Sequence, residues 1–246
     1  MQQINQDVLA VLSTVEITGT NVKITEQLDR KLYQQVNEVL ERIGGKWNKK
    51  AKAHIFNSNP TEKLEAVINS GMLELKIKTG YFPTPEKVVK QMISLLEFQR
   101  GDIVLEPSSG QGHIADQIPR ESLIMCEILS ENRAVLIAKG YQQNLIGDDF
   151  LKTHIAGVNK ICMNPPFELQ NDILHVTHAL DCLNPGGILV SVMSSSVLFR
   201  NNKKTQKFRE DILSYAEVIP LPEGSFKESG TMVNTILVKI RKRDVK

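Results

Sequence analysis

The chain has 246 residues, 41% hydrophobic and 24% charged, with Lys+Arg 30 against Asp+Glu 28. This length allows one large domain or one domain with an extension, and the composition excludes long disorder and collagen-like, mucin-like or coiled-coil classes. A net charge of +2 leaves any nucleic-acid role to local patches.

In chain order, Met1–Asp7 carries no basic stretch before an apolar run, so no secretory signal is expected. Val15–Ile24 reads as two short strands around the Gly19 turn. From Asp29 to Ile43, Leu32, Val36, Val39, Leu40 and Ile43 recur at helical spacing, and Gly44-Gly45 stops the helix. Trp47–Phe56 mixes Lys46, Lys49, Lys50 and Lys52 with Trp47, His54 and Phe56, the character of a nucleic-acid contact or of a small core. Thr61–Ser70 reads as a second helix closed by Gly71. Residues 1–78 are thus expected to form a small α+β domain, and residues 79–246 a second domain.

From Gly80 the pattern changes to apolar strands alternating with amphipathic helices. Strands are expected at Ile103–Glu106, Leu123–Glu127, Asn144–Ile146, Lys160–Met163, Ile188–Met193, Ala216–Ile219 and Thr235–Ile240. Helices are expected at Glu86–Leu96, His113–Ile118, Ser130–Lys139, Gln170–Cys182 and Lys204–Leu213. Such alternation implies an α/β fold with a mostly parallel sheet covered on both faces, and a ligand site beyond the strands' C-terminal ends. The longest apolar run, Ile188–Met193, is too short to span a membrane. Cys126, Cys162 and Cys182 are odd in number and form no close pair, which excludes a disulfide scaffold and fits a reducing cytoplasm. His175 and His178 stand at i, i+3 without a third ligand at useful spacing, so no metal is expected.

The chemistry-bearing residues follow strands. Glu106-Pro107-Ser108-Ser109-Gly110-Gln111-Gly112 is an acid at a strand end followed by a Gly-rich turn, suited to a nucleoside-containing cofactor, although it is neither G-x-G-x-x-G nor a Walker loop. Glu127, roughly 20 residues after that turn, suits ribose hydroxyls. Asp149-Phe150 pairs a carboxylate with an aromatic ring. The sharpest signal is Asn164-Pro165-Pro166-Phe167 directly after a strand. The prolines stiffen an extended exit that presents the Asn164 amide and the Pro165 carbonyl, two acceptors beside the flat face of Phe167. Two acceptors beside a stacking ring suit a planar amino group.

On these residues the chain resembles the class I S-adenosylmethionine-dependent amino-methyltransferases, in particular the gamma group of N6-adenine DNA methyltransferases. In that group a Phe-x-Thr-Pro element, here Phe82-Pro83-Thr84-Pro85, precedes the Gly-rich loop. The resemblance covers about residues 80–240. It implies a Rossmann-like seven-stranded sheet and S-adenosylmethionine as cofactor. It also implies that Phe82, Thr84, Glu106, Ser108 and Gly110 line that cofactor, with Thr84 at its methionine part. Glu127 would hold the ribose, Ile128 would pack on the adenine, and Asp149 would accept from the adenine amino group with Phe150 beside it. Asn164 and Pro165 would accept from the target amine, with Pro166 stiffening the exit and Phe167 stacking on the base. Phe226 matches a second aromatic placed against a flipped base. Ser108-Ser109 departs from the family's more usual small-residue pattern.

If DNA is the substrate, its adenine must be flipped or already unpaired. The segment Ser194–Lys204 follows the fifth strand, and Arg200, Lys203 and Lys204 within it are candidate phosphate contacts. Members of the gamma group usually carry a sizeable recognition domain after the catalytic part. Here sequence recognition is expected from residues 1–78, from a partner or homo-oligomer, or to be weak. Gly44-Gly45-Lys46-Trp47-Asn48 resembles N-terminal segments of phage- and plasmid-borne methyltransferase-like proteins. The same Asn-Pro-Pro-Phe element also serves methyltransferases of RNA adenine and of protein glutamine, and a non-catalytic cofactor- or nucleic-acid-binding regulator is a further reading.

Overall fold

The protein is described here as a computed structural model, which covers residues 3–72 and 81–243. The expected domain boundary between residues 78 and 79 lies outside the described residues.

The first unit opens with α1 (Gln6–Leu12), capped by the Asn5 side chain, which accepts from Asp7 N at 2.9 Å. Hairpin β1 (Glu16–Thr18) and β2 (Asn21–Lys23) turns at Gly19, whose φ of +61° suits glycine. Asp29 caps α2 (Arg30–Arg42), which buries Val36, Val39 and Leu40 as their spacing requires. Strands β3 (Lys46–Asn48) and β4 (Ala53–Ile55) complete an antiparallel sheet of order β1-β2-β4-β3. Helix α3 (Thr61–Ser70) ends at Gly71 in the left-handed region. Phe56 joins this unit's core, whereas Trp47 stays 41% exposed.

The second unit begins with α4 (Glu86–Leu96) and then alternates. Its strands are β5 (Val104–Glu106), β6 (Leu123–Cys126), β7 (Leu145–Gly147), β8 (Val158–Met163), β9 (Leu183–Ser194), β10 (Glu217–Pro220) and β11 (Thr235–Arg241). Helices α5 (Ser130–Ala138), α6 (Asn171–Cys182) and α7 (Lys203–Asp211) lie between them. The sheet order is β10-β11-β9-β8-β5-β6-β7. Strands β5 to β9 run parallel, and β11 inserts antiparallel between β9 and β10. Two apolar layers cover the sheet, one built with α6 and α7, the other with α4 and α5. The expected helix at 113–118 is a correction: only a 3-10 turn, Ala115–Gln117, forms there. Positive φ at Gly110 and Gly112 delays its start, and Ile118 is extended as the residue before Pro119 tends to be.

The two units meet through a buried polar joint. The Arg200 guanidinium, 1% exposed, forms two bonds with Glu65 of α3, at 3.1 and 2.7 Å. Arg200 also donates to Asn69 and to Ser196, and both Ser194 and Ser196 donate to Asn69 Oδ1. Below them Asp172 accepts from Ser194 N at 3.1 Å, and burial pushes its carboxyl up to about 6.

Candidate active site

The strand order reverses between β5 and β8, so their exits form the topological switch point of the sheet. Reading along the rim from β8 through β5 and β6 to β7, the exits carry Asn164, Glu106, Glu127 and Asp149 in a row. Three strand spacings of about 4.8 Å give the row a length of roughly 14 Å, enough for a nucleoside with an amino-acid tail. Residues that stand up to 58 positions apart in sequence, Glu106 to Asn164, become neighbours because β5 and β8 pair in parallel.

The Gly-rich turn is held closely. Glu127, 5% exposed, accepts from Gly110 N at 2.6 Å and from Leu129 N at 2.8 Å. Ser109 Oγ bonds the carbonyls of both Glu106 and Cys126, tying the exits of β5 and β6 together. Ser109 thus has a structural use. Gly110 has φ +53°, and a Cβ there would lie 2.1 Å from the Tyr81 ring, so only glycine fits. Ser108 beside it is half-buried, and Ile128, 62% exposed, stands on the rim after Glu127. The Tyr81 hydroxyl meets His113 Nδ1 at 2.8 Å, and burial pushes that hydroxyl up to about 12.

Glu106 is 1% exposed and its Oε2 has no hydrogen-bond partner. Burial drives its carboxyl well above the usual range. An orphaned buried acceptor at the switch point, next to a glycine turn and a buried Glu127, fits a polar nucleoside cofactor bearing amino and hydroxyl donors. Asp149 differs. Its carboxylate pairs with Lys152 at 2.8 Å and caps Leu151 N, and the Lys152 bond holds it below the usual range.

The two motifs separated by 80 residues meet directly. Asn164 Nδ2 donates to Thr84 Oγ1 at 3.1 Å and to the Phe82 carbonyl at 3.4 Å. With the amide nitrogen turned to these acceptors, Oδ1 is the acceptor left to face a ligand. Thr84 is buried and Phe82 half-buried, and Ser229 donates to Pro83 O at 2.6 Å. Pro165 is buried, Pro166 exposed, and Phe167 packs against the core on one side while part of its ring stays accessible.

Several expected site residues have other work. Phe150 is 3% exposed and packs between His175 and His178, with centroid distances of 5.8 and 4.7 Å, so its ring supports the sheet and does not flank a cofactor. Phe226 is 1% exposed within the second apolar layer and offers no face to a base. Arg200 is not a phosphate contact, since it is fully used in the buried joint. Lys204 donates to the Gln170 carbonyl at 2.9 Å, and burial lowers its ammonium. Of the expected basic contacts only Lys203 is exposed. The histidine rings on Phe150 explain the i, i+3 pair as packing. Among the described residues no group of three or more His, Cys, Asp or Glu is arranged to hold a metal, and no helix is long and apolar enough to cross a membrane.

This sheet, with its mostly parallel order and inserted antiparallel strand, is the Rossmann-like fold of the class I methyltransferases. In structure the chain is similar to the M protein of the type I restriction enzyme EcoKI, with a TM-score of 0.58 and 18% identity, covering 96% of this chain and 57% of that one. A class I S-adenosylmethionine-dependent methyltransferase of Listeria monocytogenes, so described provisionally, aligns with a TM-score of 0.54 and 14% identity over 98% of this chain and 80% of its own. In sequence the chain is 25% identical over 197 aligned positions to the type II restriction enzyme and methyltransferase RM.BcgI of Heyndrickxia coagulans, covering 65% of this chain and 31% of that protein. The chain therefore spans about a third of this curated relative and a little over half of the M protein. No family model matches the chain.

Proposed function

We propose that this chain transfers a methyl group from S-adenosylmethionine to the N6 amino group of adenine in DNA. The observation that carries the reading is the Asn164 amide at the switch point, whose nitrogen is taken up by Thr84 and Phe82, which leaves Oδ1 as its acceptor for a ligand, next in sequence to the Pro165 carbonyl. Similarity to RM.BcgI, named as a restriction enzyme and methyltransferase, supports DNA as the substrate class.

Glu127, Ser108, Gly110 and the buried Glu106 would hold the cofactor along the exits of β5 and β6, with Ile128 toward its adenine and Asp149 at the far end of the row. The bound cofactor supplies an electrophilic sulfonium methyl. An exocyclic adenine amine is a weak nucleophile because its lone pair is delocalised into the ring. Hydrogen bonds from its two N–H groups to Asn164 Oδ1 and Pro165 O draw the nitrogen toward a tetrahedral, nucleophilic geometry. Phe167 stacks on the base and fixes its plane, and alignment with the methyl supplies the remaining advantage through positioning. The surplus proton leaves after transfer, so this chain needs no general base. Duplex contact falls to exposed Lys203 and to the β3–β4 hairpin, where exposed Lys46, Lys49, Lys50 and Lys52 share the segment of exposed Trp47. Target choice then rests on the first unit or on a recognition partner.

The test is transfer of labelled methyl to duplex DNA, single-stranded DNA, RNA and a protein extract, with the product identified by mass spectrometry. N6-methyladenine in DNA is expected. Label in RNA or in glutamine alone would replace the substrate, and no transfer despite measurable cofactor binding would favour a binding module.

A further inference from the structure

Two residues beyond Phe167 the backbone does something unusual. Leu169 has φ +54° and Gln170 has φ +60°, two successive side-chain-bearing residues in the left-handed region. Left-handed conformations of this kind persist only where surrounding contacts over-determine them, and they cluster at functional sites. The contacts here are specific. Lys204 Nζ donates to the carbonyls of Leu169 and Gln170 at 3.5 and 2.9 Å. Thr205 Oγ1 donates to Gln170 Oε1 at 2.7 Å, and Gln170 N bonds the Phe167 carbonyl at 3.1 Å. Helix α3 of the first unit approaches the same turn. All of this holding presents one apolar side chain to solvent: Leu169 is 56% exposed.

An apolar side chain fixed on a braced turn, at the C-terminal rim of the sheet and two residues from Phe167, has the form of a wedge. A base taken out of a duplex leaves a gap in the stack, and proteins that distort DNA insert apolar side chains between base steps. We infer that Leu169 enters the duplex at the target site and holds open the space the adenine leaves, with Lys204 and Thr205 bracing its turn. This inference rests on the DNA reading above. Exposed Glu168 beside Leu169 carries a negative charge that offers phosphate no favourable contact, so the insertion relies on apolar contact and not on charge.

The experiment compares two duplexes of identical sequence, one fully paired and one with an abasic site opposite the target adenine, where no pairing holds the base in. Wild-type protein, Leu169→Ala and Leu169→Met are assayed on both. The expected result is a loss of about tenfold or more in kcat/KM for Leu169→Ala on the paired duplex, a change below about twofold on the abasic duplex, and recovery in Leu169→Met. An equal loss on both duplexes, or no loss on the paired one, would overturn the wedge. Absence of transfer by the wild-type protein to either DNA would overturn the DNA reading and the wedge with it. Leu169 is exposed, so its truncation leaves the core intact, and unchanged thermal unfolding of the variant checks this.

Discussion

The exits of β5 to β8 and the segment after β9 both carry polar residues at the same rim, yet they do different work. At the first, Glu106, Glu127 and Asn164 are placed by strands and stiff turns: Glu127 accepts from the Gly-rich turn, while Glu106 Oε2 is left without a partner and Asn164 donates through its amide nitrogen. At the second, Arg200 and Lys204 are consumed by the protein itself, one in the joint with α3 and the other in bracing the turn after Phe167. Both regions read as ligand contacts from residue type alone. What separates them is whether a partner waits elsewhere in the chain. Glu65 lies 135 residues from Arg200, and nothing local announces the pair.

Four substitutions sharpen the contrast, and the largest effect belongs to the joint. Arg200→Ala leaves half-buried Glu65 and buried Asn69 without their partner, and should cost about 3 kcal/mol of stability, read by denaturant unfolding. A fully folded variant with altered DNA salt dependence would return Arg200 to the phosphate role. Next, Thr84→Val keeps the shape but removes the acceptor that orients the Asn164 amide. Its kcat should fall about tenfold, equivalent to about 1.4 kcal/mol, and Thr84→Ser should recover most of it.

Smaller is the effect at Glu106. Burial raises its folded pKa, so the folded chain binds this proton more tightly than the unfolded chain does. Stability is therefore lost as pH rises from the ordinary carboxylate range through the raised folded value, and stays lost above it. Glu106→Gln should raise Tm at pH 8, by about 2–4 °C for each kcal/mol recovered in a chain of this size, with little change near pH 4. A Tm gain that is equal at both pH values would contradict the burial account. The smallest effect is expected at exposed Lys203. Lys203→Glu should weaken DNA binding a few-fold and flatten the slope of log K against log salt by about 1. An unchanged slope would remove Lys203 from the interface.

The same contrast marks what the sequence could convey. Continuous apolar strands, helical spacing in α2, and punctuation by Gly44-Gly45 and Gly71 encode elements locally, so the α/β sheet was legible. Asn164–Phe167 was legible because two prolines after a strand leave the chain few conformations. The turn at 113–118 was not, since two glycines at positive φ override an apolar pattern of helical length. Helix α1 carries a cap at Asn5 and buries Val8, Leu9, Val11 and Leu12, but its apolar run is too short for periodicity to distinguish it from a loop. Phe150 and Phe226 show the limit for aromatics. A ring beside a motif packs inward or faces a ligand according to the layers above it, and both rings here are packed inward. Leu169 shows the reverse case, an apolar residue of ordinary type that a rare backbone conformation turns outward.

The central claim is that one rim is divided into a cofactor half on β5 to β7 and an amine-accepting half on β8. The most direct measurement pairs calorimetric binding of S-adenosylmethionine with single-turnover methyl transfer in Asn164→Ala. The account predicts cofactor affinity within about threefold of wild type and a transfer rate lower by about 10³ or more, because only an interaction made to the reacting amine has been removed. Near-normal transfer, or loss of cofactor binding in step with loss of transfer, would contradict that division.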